Sequence, residues 1–142
     1  MKITEFYVSN FRSLSEVNLK DLGGFNIVVG YNGYGKTNLL SSIYLFVRNL
    51  SAGIEKRSVE DRNQDLILIW QGYNVNKPVI LGGKVEFSPE EAAKIIGKNQ
   101  KVTLEVVNKI RYVNNYVEWS LDTLYVNGSP PGEDDLKIAK KL

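Results

Sequence analysis

The sequence predicts an α/β domain, in which a buried central strand feeds a glycine-rich loop and a helix, flanked by a largely antiparallel β-sheet. Three observations predict it. Phe25-Asn26-Ile27-Val28-Val29 is a short run rich in β-branched residues, the pattern of a buried central strand. The glycine-rich stretch 30–37 follows at once, and residues 36–49 then place Leu39, Leu40, Ile43, Phe46 and Val47 at helical spacing. Residues 101–121 alternate between apolar and polar on either side of Asn114-Asn115, as two hairpin strands do.

The other elements follow in chain order. Residues 2–9 alternate imperfectly and read as a strand, with 14–19 as its hairpin partner after the Asn10-Phe11-Arg12-Ser13 turn. Residues 51–64 are polar and charged, an exposed loop. Residues 65–70 (DLILIW) fit a buried strand or a short helix, and periodicity does not decide between them. Pro78 opens the strand VILGGKVEF, with an irregularity expected at Gly82-Gly83. Ser88-Pro89-Glu90-Glu91 begins a helix that ends near Gly97: a cap, a proline in the first turn, then acids at the positive end. Residues 124–126 read as a further short strand before the Asn127-Gly128 turn, and 133–142 as a final amphipathic helix.

Composition narrows the chemistry. The chain has 142 residues, one domain's worth, enough for a core without metals or disulfides. A net charge of +2 makes no case for nucleic acid or an acidic membrane. There is no cysteine and no histidine, so thiolate chemistry and the commonest general base are excluded. No apolar run approaches the roughly 18 residues of a membrane span. The N-terminus alternates like a strand and lacks a signal-peptide core, so the expected location is cytoplasmic, with no membrane partner.

Gly30-x-x-x-x-Gly35-Lys36-Thr37 satisfies the phosphate-loop (Walker A) pattern, and its setting between strand and helix is the required one. Glycines let backbone N–H groups turn toward a phosphate, and the following helix points its positive end to the same place. Lys36 would lie between the β- and γ-phosphates of ATP, and Thr37 would offer its hydroxyl to Mg²⁺. A dinucleotide fingerprint fits less well, because it runs G-x-G-x-x-G and requires no lysine.

Beyond that pattern, Asn10-Phe11-Arg12-Ser13 followed by FNIVVGYNGYGKTNLLSSI resembles the N-terminal lobe of SMC-, RecF- and OLD-like ATPases, a branch of the ABC ATPases. Asn26, Gly30, Asn32, Gly33, Gly35, Lys36, Thr37, Asn38, Leu39, Leu40 and Ile43 all fall on the family's pattern. GGKVEF (82–87) and LYVNGSPPGEDDL (124–136) resemble later segments more weakly, so the likeness covers most of the chain but only the first part of the family's head. The resemblance implies a P-loop NTPase fold with a flanking antiparallel sheet. Arg12 should approach the phosphates from the side and Asn32 should line the loop. The nucleotide-binding set is thus Arg12, Asn32, Gly33, Tyr34, Gly35, Lys36, Thr37 and Asn38, with Thr37 also on the metal.

An ABC-type head needs more than this. No apolar run ends in the Asp-Glu of a Walker B strand: Leu66 to Trp70 is followed by Gln71, and Val106-Val107 by Asn108. Leu50-Ser51-Ala52-Gly53 imitates the signature motif but follows the phosphate-loop helix too closely, and Gln71 lies too early for a Q-loop. The chain is therefore expected to be a single domain over 1–142, the N-terminal half of a head whose Q-loop, signature and Walker B lie elsewhere. The missing half belongs either to a longer protein or to a separately encoded partner. The resemblance implies head-to-head dimerisation on ATP binding and a role in DNA repair, chromosome maintenance or defence, with DNA contacted by the whole protein. The alternative is a non-catalytic module that docks protein or DNA through Lys109, Arg111, Tyr112, Tyr116 and Trp119 while the loop stays vestigial.

Overall fold

Alternation along the chain becomes a single sheet. The computed structural model describes residues 1–23 and 35–133. Its strands are β1 (Lys2–Phe11), β2 (Leu14–Leu19), β3 (Ser58–Glu60), β4 (Val79–Phe87), β5 (Val102–Val113) and β6 (Tyr116–Val126). They lie in the order β2-β1-β4-β5-β6-β3, and every neighbouring pair is antiparallel. Among the described residues the sheet is accompanied by the helices α1 (Lys36–Arg48) and α2 (Pro89–Ile96). The expected central strand 25–29, most of the phosphate loop and the C-terminal helix fall outside the described residues.

One face of the sheet carries the core. Phe6, Gly83, Val106 and Leu124 stand in register across β1, β4, β5 and β6. Phe46 of α1 lands on that row, its ring 5.7 Å from the Phe6 ring. Both rings are fully buried, each contributing about 1.5–3 kcal/mol. The helix comes this close because Gly83 has no side chain: a Cβ there would sit 3.1 Å from Phe46 and 2.5 Å from the Glu5 carbonyl oxygen. The glycine pair therefore makes room and does not disturb the ladder. β4 pairs without interruption through Gly82-Gly83, and the register shift falls instead in β1, between Ile3 and Glu5.

Other expectations are corrected on physical grounds. Residues 116–126 form one strand, not two. Leu121 pairs with Asn108 and Thr123 with Val107, so Asp122 is a bulge. That bulge absorbs the one-residue change of phase between Val117/Trp119 and Leu124/Val126, all of which are buried. Residues 51–64 are not wholly exposed. Ala52 is a core residue, Ser51 and Asp61 are buried, and residues 58–60 extend the sheet beside β6. Gly53 leaves no room for a Cβ, which would lie 2.2 Å from the Asn108 Oδ1. The Asn108 amide, on the buried face of β5, donates at 3.4 Å to the carbonyls of Leu50 and of Asn49, the latter also accepting the Ala52 N–H, and so ties the end of α1 to the sheet.

Residues 66–69 settle the ambiguous stretch as a 3₁₀ turn, with Leu68 exposed and Trp70 buried behind it. On α1 the apolar stripe is narrower than its spacing suggests, because Leu40 is 55% exposed. The α2 signals hold: Ser88 and Glu91 close a reciprocal capping box, and Gly97 ends the helix in the left-handed conformation. Glu91 also pairs with the N-terminal ammonium, which holds its carboxyl below the usual range against the opposing effect of desolvation, with Ser88 adding to the lowering. The Asn114-Asn115 turn forms as expected, both residues at positive φ. Among the described residues no helix is long and apolar enough to cross a membrane.

Candidate nucleotide site

The site begins where α1 begins. Gly35 is the residue before the helix and holds φ +93°, a left-handed conformation that glycine adopts without strain. The Leu39 N–H donates to the Gly35 carbonyl at 2.8 Å. The N–H groups of Lys36, Thr37 and Asn38 precede that first helical bond and have no carbonyl within the helix to meet. No side chain caps this end, and its first turn carries no acid. At α2 both devices are present. Among the described residues, the first turn of α1 therefore presents N–H donors with no side-chain cap, and the positive end of the helix dipole with no acid in the turn.

The β1–β2 turn is packed against this helix start. Its two loop residues, Arg12 and Ser13, join Phe11 to Leu14, which pair across the hairpin. The Asn38 Nδ2 donates to the Ser13 Oγ at 2.6 Å. A Cβ on Gly35 would meet Leu14 at 3.2 Å and Ser13 at 3.4 Å, so the glycine is needed for space as well as for its backbone angle. Arg12 holds φ +49°, which costs a residue with a side chain about 1–2 kcal/mol. Its guanidinium lies 5.1 Å from the Phe11 ring centroid, and its N–H donates to the Ile69 carbonyl at 2.8 Å.

Arg12 and Thr37 line one cleft of about 500 Å³, together with Phe11, Ser41, Tyr44 and Ile69. Five members of the expected set, Arg12, Gly35, Lys36, Thr37 and Asn38, are thus gathered where the hairpin turn meets α1. Asn32, Gly33 and Tyr34 lie outside the described residues. Arg12 and Thr37 are exposed and Lys36 is half-buried, so all three remain accessible. Mg²⁺ bound between phosphates takes only one or two protein ligands and keeps several waters, a role the exposed Thr37 hydroxyl fits. Among the described residues no group of three His, Cys, Asp or Glu could hold a metal.

Other candidates resolve into packing. The signature-like Leu50-Ser51-Ala52-Gly53 is a buried turn against the sheet. Gln71 donates to the Ser15 hydroxyl at 2.8 Å. The hairpin residues of the alternative reading do not share a face: Lys109, Arg111 and Tyr116 lie on one side, Tyr112 and Trp119 on the other. Trp119 is buried and Lys109 pairs with Asp122 at 3.1 Å. A larger concavity of about 580 Å³ lies by Gly53, Lys56, Arg111 and Trp119, with neither Arg12 nor the start of α1 in its lining.

The contact between Asp61 and Tyr112 went unrecognised in the sequence. Asp61 is buried, accepting the Leu66 N–H at 3.1 Å and the Tyr112 hydroxyl at 3.0 Å. Partial burial first, then the hydrogen bond to Asp61 and its charge, push the Tyr112 phenol above its ordinary value. The one signal available was Asp61 lying five residues ahead of Leu66, inside a run of charges.

A family model for an AAA ATPase domain matches residues 1–128. The DNA replication and repair protein RecF of Clostridioides difficile (strain 630) is 27% identical over 150 residues, spanning 100% of this chain and 38% of that protein. RecF of Actinobacillus pleuropneumoniae serotype 5b (strain L20) is 33% identical over 70 residues, 48% of this chain and 19% of that protein. The matched stretch thus takes up only 19% to 38% of these relatives' length. A solved structure from work on ATP-driven dimerization and DNA-stimulated activation of SMC ATPases shares the fold, with a TM-score of 0.50 at 19% identity, covering 98% of this chain and 80% of that one.

Proposed function

The chain belongs to the AAA ATPase domain family, as an N-terminal part of SMC/RecF type, and on that premise we propose that it binds Mg-ATP where α1 meets the β1–β2 turn. The observation that carries this reading is the uncapped, acid-free first turn of α1, which shares a corner with Arg12.

The backbone N–H groups of Lys36 and Thr37 would meet phosphate oxygens, and the Lys36 ammonium would bind them as a point charge. The Thr37 hydroxyl would hold Mg²⁺, which neutralises charge between the β- and γ-phosphates. Arg12 would reach the phosphates from the hairpin side, its planar fork suited to two oxygens at once. Asn32, Gly33 and Tyr34 would complete the loop.

Hydrolysis needs a carboxylate to orient water. Asp61 is committed to Leu66 and Tyr112, and Glu91 to α2. Because no apolar run of the sequence ends in the Asp-Glu of a Walker B strand, we assign water activation to such a segment supplied by the rest of the same protein or by a partner. ATP-driven pairing of two complete heads, and service in DNA repair, chromosome maintenance or defence, are proposed for the whole assembly. The relatives named for DNA replication and repair support that direction.

Isothermal calorimetry with Mg-ATP tests the binding site. The chain should bind, and Lys36→Ala should abolish binding while leaving the fold intact. Unchanged affinity in the variant would refute the assignment.

A further inference from the structure

Asp61 is only 4% exposed, and its two carboxylate oxygens accept from donors on different elements. Oδ1 takes the Leu66 N–H, which opens the 66–69 turn, and Oδ2 takes the hydroxyl of Tyr112 on β5. Its own N–H donates to the Asn115 carbonyl at 2.7 Å. No basic group pairs with it among the described residues. A buried charge held this way fixes position, since each oxygen orders a different segment.

The turn that Asp61 anchors ends at the cleft. The Ile69 carbonyl accepts the Arg12 N–H, and Ile69 lines the cleft beside Arg12 and Thr37. Trp70 secures the far end: its ring meets Tyr112 edge-on at 5.7 Å, its Nε1 donates to the Lys77 carbonyl at 2.9 Å, and its backbone bridges to Phe11. A continuous set of contacts therefore runs from Tyr112 through Asp61 and the turn to the Arg12 backbone, which is held at a positive φ.

We propose that Asp61, braced by Tyr112, is a positioning residue for nucleotide binding: through the Ile69 carbonyl it holds Arg12 in the conformation that aims its guanidinium into the cleft. Asp61 touches no nucleotide itself. The inference rests on the reading that this cleft takes nucleotide.

The test is a double-mutant cycle on Mg-ATP affinity, measured by calorimetry on the full chain. Asp61→Ala should weaken binding about tenfold, the scale of a lost hydrogen bond to a charged group. Asp61→Asn should recover most of that, since its carbonyl still accepts from Leu66 and its amide can donate to the Tyr112 oxygen. In an Arg12→Gly background, which keeps the backbone N–H, Asp61→Ala should have no further effect. An equal loss in both backgrounds, or no loss in a folded Asp61→Ala chain, overturns the proposal. Should Asp61→Ala fail to fold, Tyr112→Phe carries the same comparison with a milder change. Retained binding in Lys36→Ala would instead refute the nucleotide reading itself, so the two failures are told apart.

Discussion

The Asn38 side-chain amide donates to the Ser13 hydroxyl at 2.6 Å, joining the first turn of α1 to the turn that carries Arg12. This bond ties together the two elements that carry Arg12 and Thr37. Asn38→Ala should cost about 1 kcal/mol of stability, the net worth of such a bond. Nucleotide affinity should fall with it, because the two sides of the cleft are no longer tied. Urea unfolding and Mg-ATP titration of the same variant check both.

Arg12 separates stability from function. It occupies a positive-φ position, which glycine takes without strain. Arg12→Gly should therefore leave stability unchanged or raise it by up to about 1 kcal/mol, net of added freedom in the unfolded chain. The same variant should bind Mg-ATP more weakly. A loss of stability would show that the Arg12 side chain is held for packing, and urea midpoints decide.

Gly83 tests the seating of α1 on the sheet. A Cβ would lie 2.5 Å from the Glu5 carbonyl oxygen, so β1 must shift to admit it. Gly83→Ala should destabilise by roughly 1–3 kcal/mol, the range for overpacking. Gly72→Ala is the opposite case: it holds φ +58° but meets nothing within 4 Å, so any loss there is backbone strain and not overpacking.

Alkaline unfolding should report the Asp61–Tyr112 contact. The Tyr112 phenol sits above 10.0 in the folded chain, so the folded state holds that proton more tightly than the unfolded one. Its contribution is complete below pH 10 and is lost as pH rises through the folded value. Tyr112→Phe should flatten the fall in stability as pH rises above about 10. A slope equal to that of the parent chain would show that the contact is not made in solution.

Much of this was legible in the residues. Period-two alternation located β1 and β5, a turn and a proline marked the starts of β2 and β4, and Ser88-Pro89-Glu90-Glu91 announced α2 through local capping chemistry. The phosphate-loop pattern pointed to Gly35, Lys36 and Thr37 because glycine and lysine are constrained there by their neighbours in sequence. What stayed hidden depends on residues distant along the chain. The purpose of Gly83 appears only when Phe46 is laid over it, and the bulge at Asp122 only when β6 is set against β5. Asp61 read as a solvated charge until Leu66 and Tyr112 closed around it, 5 and 51 residues away.

Amide chemical-shift mapping by NMR during a Mg-ATP titration tests the central claim most directly. The account predicts saturable shifts at the N–H groups of Gly35, Lys36 and Thr37, with Arg12 responding in step, and no such response to adenosine alone. Saturable binding that leaves those amides unmoved would contradict it, as would their silence at excess nucleotide.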